Sequence, residues 1–476
     1  MTTLDQRDLV AIGPADATYQ RKLLGVVMLA VMAFGSLMTI VTVSLDQIAL
    51  DIGSSRATLT WMITGLILAV AVATPIAGKL GDIKGHRTVF LVGLAGGIVT
   101  TLLSAIAWDA GSMIAFRVLY GITGALVVPN GMALMMDAYG PHRRAAAVGW
   151  FQFAMTGAPT IGLVAGGPLI DVIGWRWMFA AFAAVSVVAL AVGIRLIRPT
   201  PRQRHVPIDY LGAATLAGAV LAGLLALTRV SELVRDASIG AALSDRWTLG
   251  LAAVCAGGII AFIRVETSAA DPMLKLGYFR RRNFTMPMVS SALSQFAYMG
   301  GFVVTPALLA GRYGLSVGTI ALVLVPRPGA FSAASPVGGY LPTIMGEHKP
   351  IVIGSAGMMV AMGAFFVAAT MTGGAGLAVV VVGLVLTGLS AGIREPAAAA
   401  MIAGAVDESD IGIANGMGQQ VMFIGVVSGI QTMNVFIGDN ATAQQFALTF
   451  AIGGAVAGVG LLAAIAARDP GHRPPR

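Results

Sequence analysis

The chemistry open to this chain is concentrated in a few charged side chains set inside apolar sequence. The stretch Gly392-Ile393-Arg394-Glu395-Pro396 lies within a long apolar run. A carboxylate taken out of water is driven to neutralise or to pair, so Glu395 can bind and release a proton. Arg394 is its neighbour, but adjacent side chains on a regular helix point about 100° apart, so the two need not meet. Pro396 removes a backbone hydrogen bond from the same turn. Arg327, in Val325-Pro326-Arg327-Pro328, and Arg117 are further cations inside apolar runs, where a charge faces a cavity or a partner. Together they read as a proton site at Glu395, with Arg394, Arg327 and Arg117 setting its affinity or meeting an anionic group. The other reading is a static ion-pair network holding the C-terminal part together. Asp46, at the end of the first apolar run, is a second candidate for proton coupling, although its position favours the water–lipid interface. Gln295, Tyr298, Gln152, Gln419 and Tyr120, with Arg327, are candidates to line a substrate cavity.

Such residues need spans to hold them. Of the 476 residues, 57% are hydrophobic and 11% charged, with a mean hydropathy of +0.84; soluble globular chains carry about 25% charged residues. A soluble protein is excluded. Fourteen apolar runs of transmembrane length follow one another. Six lie between 23 and 197, two between 210 and 265, and six between 284 and 467. The fold class is therefore an all-α integral membrane protein. It divides into a cytoplasmic tail (1–22), a six-helix half (23–197), a linker with two extra spans (198–283), a second six-helix half (284–467) and a second tail (468–476). The single cysteine, Cys255, excludes an intramolecular disulfide and a thiolate cluster; no metal and no cofactor is expected. The five histidines fall in the expected loops and the C-terminal tail.

The net charge of +8 is a topology signal rather than a nucleic-acid surface. With both termini cytoplasmic, the cations concentrate on that side, and the other side holds only Arg56, Arg176, Arg229, Arg235, Arg246 and Arg312. The stretch Gly78-Lys79-Leu80-Gly81-Asp82-Ile83-Lys84-Gly85-His86-Arg87 reads as a tight basic turn between the second and third spans. A carboxylate there can face the positive N-terminus of a neighbouring helix and latch one conformation, which assigns Gly78, Asp82, Gly85 and Arg87 to a conformational latch. The chain also repeats itself. Pro75 to Gly78 parallels Pro336 to Gly339, while Gly121, Pro129, Gly149 and Gln152 match Gly388, Pro396, Gly416 and Gln419. Two related halves rocking about a midplane site is the architecture such a repeat serves.

These residues carry a resemblance to a known family. The decapeptide resembles the signature between spans 2 and 3 of the major facilitator superfamily, Gly-x-Leu-Ala/Gly-Asp-x-x-Gly-Arg-Arg/Lys, with His86 where the family more often has Arg. Arg117 to Ala125 is similar to the family's Arg-x-x-Gln-Gly-x-Gly-Ala motif, with Tyr120 replacing Gln; the resemblance implicates Arg117 in proton transfer. Gly162 to Gly167 resembles the antiporter motif Gly-Pro-x-x-Gly-Gly, with Leu163 in place of Pro. There Gly157, Gly162, Gly166 and Gly167 would let spans cross closely. Trp175-Arg176-Trp177-Met178-Phe179 resembles the start of span 6 in the fourteen-span drug:proton antiporters. Leu37 stands where that branch usually has Asp.

The resemblance implies a major facilitator fold and a secondary active transporter, not an enzyme. Its expected activity is proton-coupled export of hydrophobic or amphiphilic small molecules by alternating access. Its partners would be an amphiphilic substrate, protons and membrane lipids, and the protein would be a monomer crossing the plasma membrane many times. The alternative is an exporter or flippase for a lipid or lipid-like metabolite, without proton coupling.

Overall fold

The structure is a computed structural model. It describes residues 17–54, 56–59, 61–140, 143–200, 210–236, 239–268, 276–434, 437 and 441–467. Most of both predicted tails and of the first connector lie outside the described residues. So do some side chains within helices, including those of Asp46 and residues 158–171.

The described residues form α-helices joined by short turns. In chain order they are α1 (Ala17–Val43), α2 (Leu45–Ile52), α3 (Arg56–Leu59), α4 (Trp61–Lys84), α5 (His86–Ala105), α6 (Ala110–Tyr139), α7 (Arg144–Ile173), α8 (Trp175–Leu196), α9 (Tyr210–Asp236), α10 (Ile239–Ser244), α11 (Arg246–Ser268), α12 (Arg282–Tyr313), α13 (Val317–Leu324), α14 (Pro326–Met345), α15 (His348–Thr370), α16 (Gly373–Gly404), α17 (Ile411–Asn434) and α18 (Ala443–Ala466). Among the described residues, nine of these are long and apolar enough to cross a membrane, and ten if the limbs of α4, bent by 45° between Thr74 and Ile76, count as one span.

Helix ends follow local chemistry. Asp109 caps α6: its side chain accepts from the Ser112 N–H at 2.7 Å, and Ser112 Oγ returns to the Asp109 amide. That backbone bond holds the Asp109 carboxyl below the ordinary carboxylate range. Thr442 and Gln445 form the same reciprocal box at α18. Pro326 opens α14 immediately after Val325, so the span expected as one run is two helices, because proline supplies no donor to the preceding turn. The first span is likewise shorter than expected. It ends at Val43, and Asp46 belongs to the separate helix α2, which is tethered to α8 by Asp51: Trp175 Nε1 donates to Asp51 Oδ2 at 2.8 Å.

The turn expected over Gly78 to Arg87 is corrected most sharply. α4 stays helical through Lys84, and the reversal is made by Gly85 alone, at φ 89°, before α5 begins at His86. Only a residue without Cβ adopts that φ at little cost. The remaining glycines of the stretch serve close helix contacts.

Two sets of helices pack against each other, α1 to α8 and α12 to α18, and they meet where α4 crosses α17 and where α7 crosses α14. The two crossings have the same construction. A Cβ on Gly78 would run into the backbone of Gly412 and Gly416; a Cβ on Gly339 would run into the backbone of Ala145 and Ala146. Within the sets, Gly121 lies against the Leu66 carbonyl as Gly388 lies against the Arg327 carbonyl. Without a hydrophobic drive between helices in lipid, such backbone approach is what dispersion and close packing require. The added pair sits beside this arrangement: α9 packs on α4 and α17, α11 packs on α9, and α11 leaves most of its apolar surface outward.

Candidate functional site

Glu395 sits on α16 between the two sets of helices. It is 5% exposed, and Arg394 is fully buried. The two side chains, which adjacency left free to meet or not, do meet: Arg394 Nη2 donates to Glu395 Oε1. The long guanidinium reaches around the helix because an unpaired buried charge costs more than the bent path. The same carboxylate oxygen accepts from Gln295 Nε2 of α12 at 2.9 Å, and Arg394 Nη1 donates to Ser291 Oγ at 2.9 Å.

Glu395 lines a cavity of about 40 Å³ together with Gln152 of α7, Ser291 of α12, and Asn415 and Gln419 of α17. Sequence reading brought Gln152, Gln419, Gln295 and Glu395 forward separately; the fold brings them together. The cavity has room for a few waters, far less than the ~300–1,000 Å³ of a site holding a drug-sized ligand.

Arg327 and Tyr298 pair elsewhere in the C-terminal core. The Arg327 guanidinium lies 3.5 Å from the centre of the Tyr298 ring and 4.2 Å from that of Phe302, and its Nη2 donates to the Tyr298 carbonyl at 2.7 Å. Arg117, 1% exposed, lies over the rings of Tyr120 and Phe179. Tyr120 stacks on Phe34 and lines a second small cavity enclosed by α1, α5, α6 and α8, so it belongs to the interior of the N-terminal set and not to the cavity around Glu395. Tyr120 stands at the glutamine position of the motif that Arg117 to Ala125 resembles. Leu37 is buried in α1. Gly162, Gly166 and Gly167 lie in α7, but their packing and the side chain of Asp46 lie outside what is described. Gly157 packs α7 near Ser332 of α14.

The second constellation is at the end of the bundle that carries Asp82. Asp82 Oδ1 accepts from the Gly412 N–H at 3.1 Å, in the first turn of α17. The carboxylate therefore caps a helix N-terminus, where unpaired amides and the helix dipole favour negative charge. Arg87 turns away from this contact and donates to the Ile194 carbonyl of α8 at 2.8 Å. The sequence reading gave no role to four participants, His86, Asn130, Tyr278 and Asp410. His86 is buried, not in a loop, and contacts both Asp82 and Asn130; Tyr278, ahead of α12, donates to Asp410 at 2.6 Å, just before α17. Burial and the Asp410 carboxylate beside it push the Tyr278 hydroxyl up to about 12, so it remains a donor at physiological pH. The four-residue spacing of Asp82 and His86 was the available signal.

The sequence profile of the Major Facilitator Superfamily matches residues 25–382. The chain belongs to the Major Facilitator Superfamily. It is a multi-pass membrane transporter with resistance and drug-export proteins among its relatives. It is 27% identical over 400 residues to the tetracenomycin C resistance and export protein of Streptomyces glaucescens, covering 84% of this chain and 72% of that one. It is 28% identical over 393 residues to the multidrug transporter protein MdtP of Bacillus subtilis, covering 82% and 70%. Its fold matches the crystal structure of the human organic anion transporter MFSD10 with a TM-score of 0.64 at 16% identity, over 92% of this chain and 99% of that one. At that identity the likeness speaks for the fold alone.

Proposed function

We propose that this transporter has fourteen spans and exports hydrophobic or amphiphilic small molecules in exchange for protons, with both termini in the cytoplasm and Glu395 as the exchanging group. The observation that carries this reading is the position of Glu395. It is a buried carboxylate on the seam between the two sets of helices, and it lines a cavity to which both contribute. Arg394 and Gln295 both bond the carboxylate in this arrangement. Movement of one set against the other changes those partners, and this couples protonation to access. The relatives named for tetracenomycin export and multidrug transport support an organic cargo.

In this reading the arrangement is closed at the cytoplasmic end. The glycine crossings at Gly78 and Gly339 and the bond from Gly412 to Asp82 hold that end shut, and opening requires all of them to part. Export then runs by loading from the cytoplasm when this end is open and release on the other side after it closes.

The test is a transport assay in liposomes with an internal pH dye and gradients of cationic, neutral and anionic amphiphiles. Substrate-driven proton movement in the wild type that is abolished by Glu395→Gln is the expected result. Proton movement unchanged in that variant would refute the assignment. Substrate movement without proton flux in the wild type would favour a lipid-type exporter instead.

A further inference from the structure

His86 plays no part in the exchange proposed above, yet it is buried where α4, α6 and α17 meet. Its Nδ1 lies 2.9 Å from Asn130 Oδ1, and its Nε2 lies 3.3 Å from Asp82 Oδ1. The Asn130 amide is oriented by its own bonds, since Nδ2 donates to the carbonyl oxygens of Ala77 at 3.0 Å and Leu126 at 2.9 Å. A flipped amide would set its oxygen against those two carbonyl oxygens. Oδ1 therefore faces the histidine, and Nδ1–H must donate to it. The other ring nitrogen faces a carboxylate oxygen, and a lone pair there would be repelled. A neutral imidazole has one N–H, and only the cation has two.

We infer that His86 is a second proton-binding site, occupied in the closed gate, where the imidazolium bridges Asp82 and Asn130. From α4 the ring faces Asp82; from α6 it faces Asn130, with Asp137 in electrostatic reach; from α17 it faces the Gly412 backbone. Asp137 is in turn within reach of Arg144, at the start of α7, and of Glu408, before α17. When α17 departs, water reaches the ring and the proton equilibrates with the cytoplasm. The closed gate thus binds one proton more than the open gate. Rising cytoplasmic pH shifts the population towards open, by up to about tenfold per pH unit for one proton. An arginine here would hold the gate at any pH; histidine makes closure conditional. The inference rests on the alternating-access reading, but not on Glu395.

Double electron–electron resonance tests it. Spin labels go on Arg195→Cys and Lys349→Cys, both exposed and in different sets of helices, in a Cys255→Ala, Glu395→Gln background. With Glu395 neutralised, its titration cannot contribute. The expected result is a shift from short to long distances between pH 5.5 and 8.5, absent in His86→Arg, with His86→Gln weighted to long distances at every pH. A distance distribution that does not change with pH in the parent, or a titration that survives in His86→Arg, would overturn the inference.

Discussion

Gly412→Ala is the most informative single perturbation of the gate. Gly412 is the second residue of α17, and its amide donates to Asp82 Oδ1 at 3.1 Å. An added Cβ would come closer than van der Waals contact to three atoms: Asp82 Oδ1, His86 Cε1 and the Gly78 carbonyl oxygen. The last is backbone of α4 and cannot rotate aside, so the two helices must separate and the bond to the carboxylate is lost. A hydrogen bond to a charged group contributes about 1.5–3 kcal/mol, which corresponds to about a 10- to 150-fold shift of the closed-to-open ratio. The assay is maleimide labelling of Asn415→Cys, a buried cavity position, in a Cys255→Ala background, using inside-out vesicles and an impermeant reagent. The labelling rate should rise by that factor when Gly412→Ala is added. An unchanged rate in protein that still runs as a single species would refute the reasoning that this contact holds the gate shut.

Gly339→Ala, at the equivalent crossing of α14 on α7, should raise the same labelling rate, because its Cβ meets the Ala145 and Ala146 backbone. Arg394→Met leaves Glu395 buried without its cation and should destabilise the protein by about 3–5 kcal/mol, read as a lower Tm in detergent. Adding Glu395→Gln to that variant should recover most of the loss. Asp51→Ala removes the acceptor of Trp175 Nε1 and should cost about 1 kcal/mol, a small fall in Tm with no change in gate labelling.

Helix positions were legible because lipid sets their length: runs of about 20 apolar residues marked most of them to within a few residues. Facing was not. A helix apolar all round carries no stripe to say which side meets protein, so Tyr120 and Arg117 could not be assigned from sequence to the interior of the N-terminal set. The glycines were the exception. Gly78, Gly121, Gly339 and Gly388 recur in register because backbone approach tolerates no side chain, and each lies at a crossing. The continuation of α4 through Lys84 was missed because glycine and charge read as turn, whereas here Asp82 and Lys79 are buried. The Arg394–Glu395 contact was left open because helix geometry fixes Cβ directions and not the reach of a long guanidinium.

Exchange at Glu395 requires substrate and proton to compete for the same state of the transporter. Proton release on adding substrate to purified protein in weakly buffered detergent, followed with a pH dye, tests it most directly. With His86→Arg as the parent, so that the gate histidine does not titrate, about one proton should be released per bound substrate, and none when Glu395→Gln is added with binding retained. Equal proton release in both proteins would contradict it.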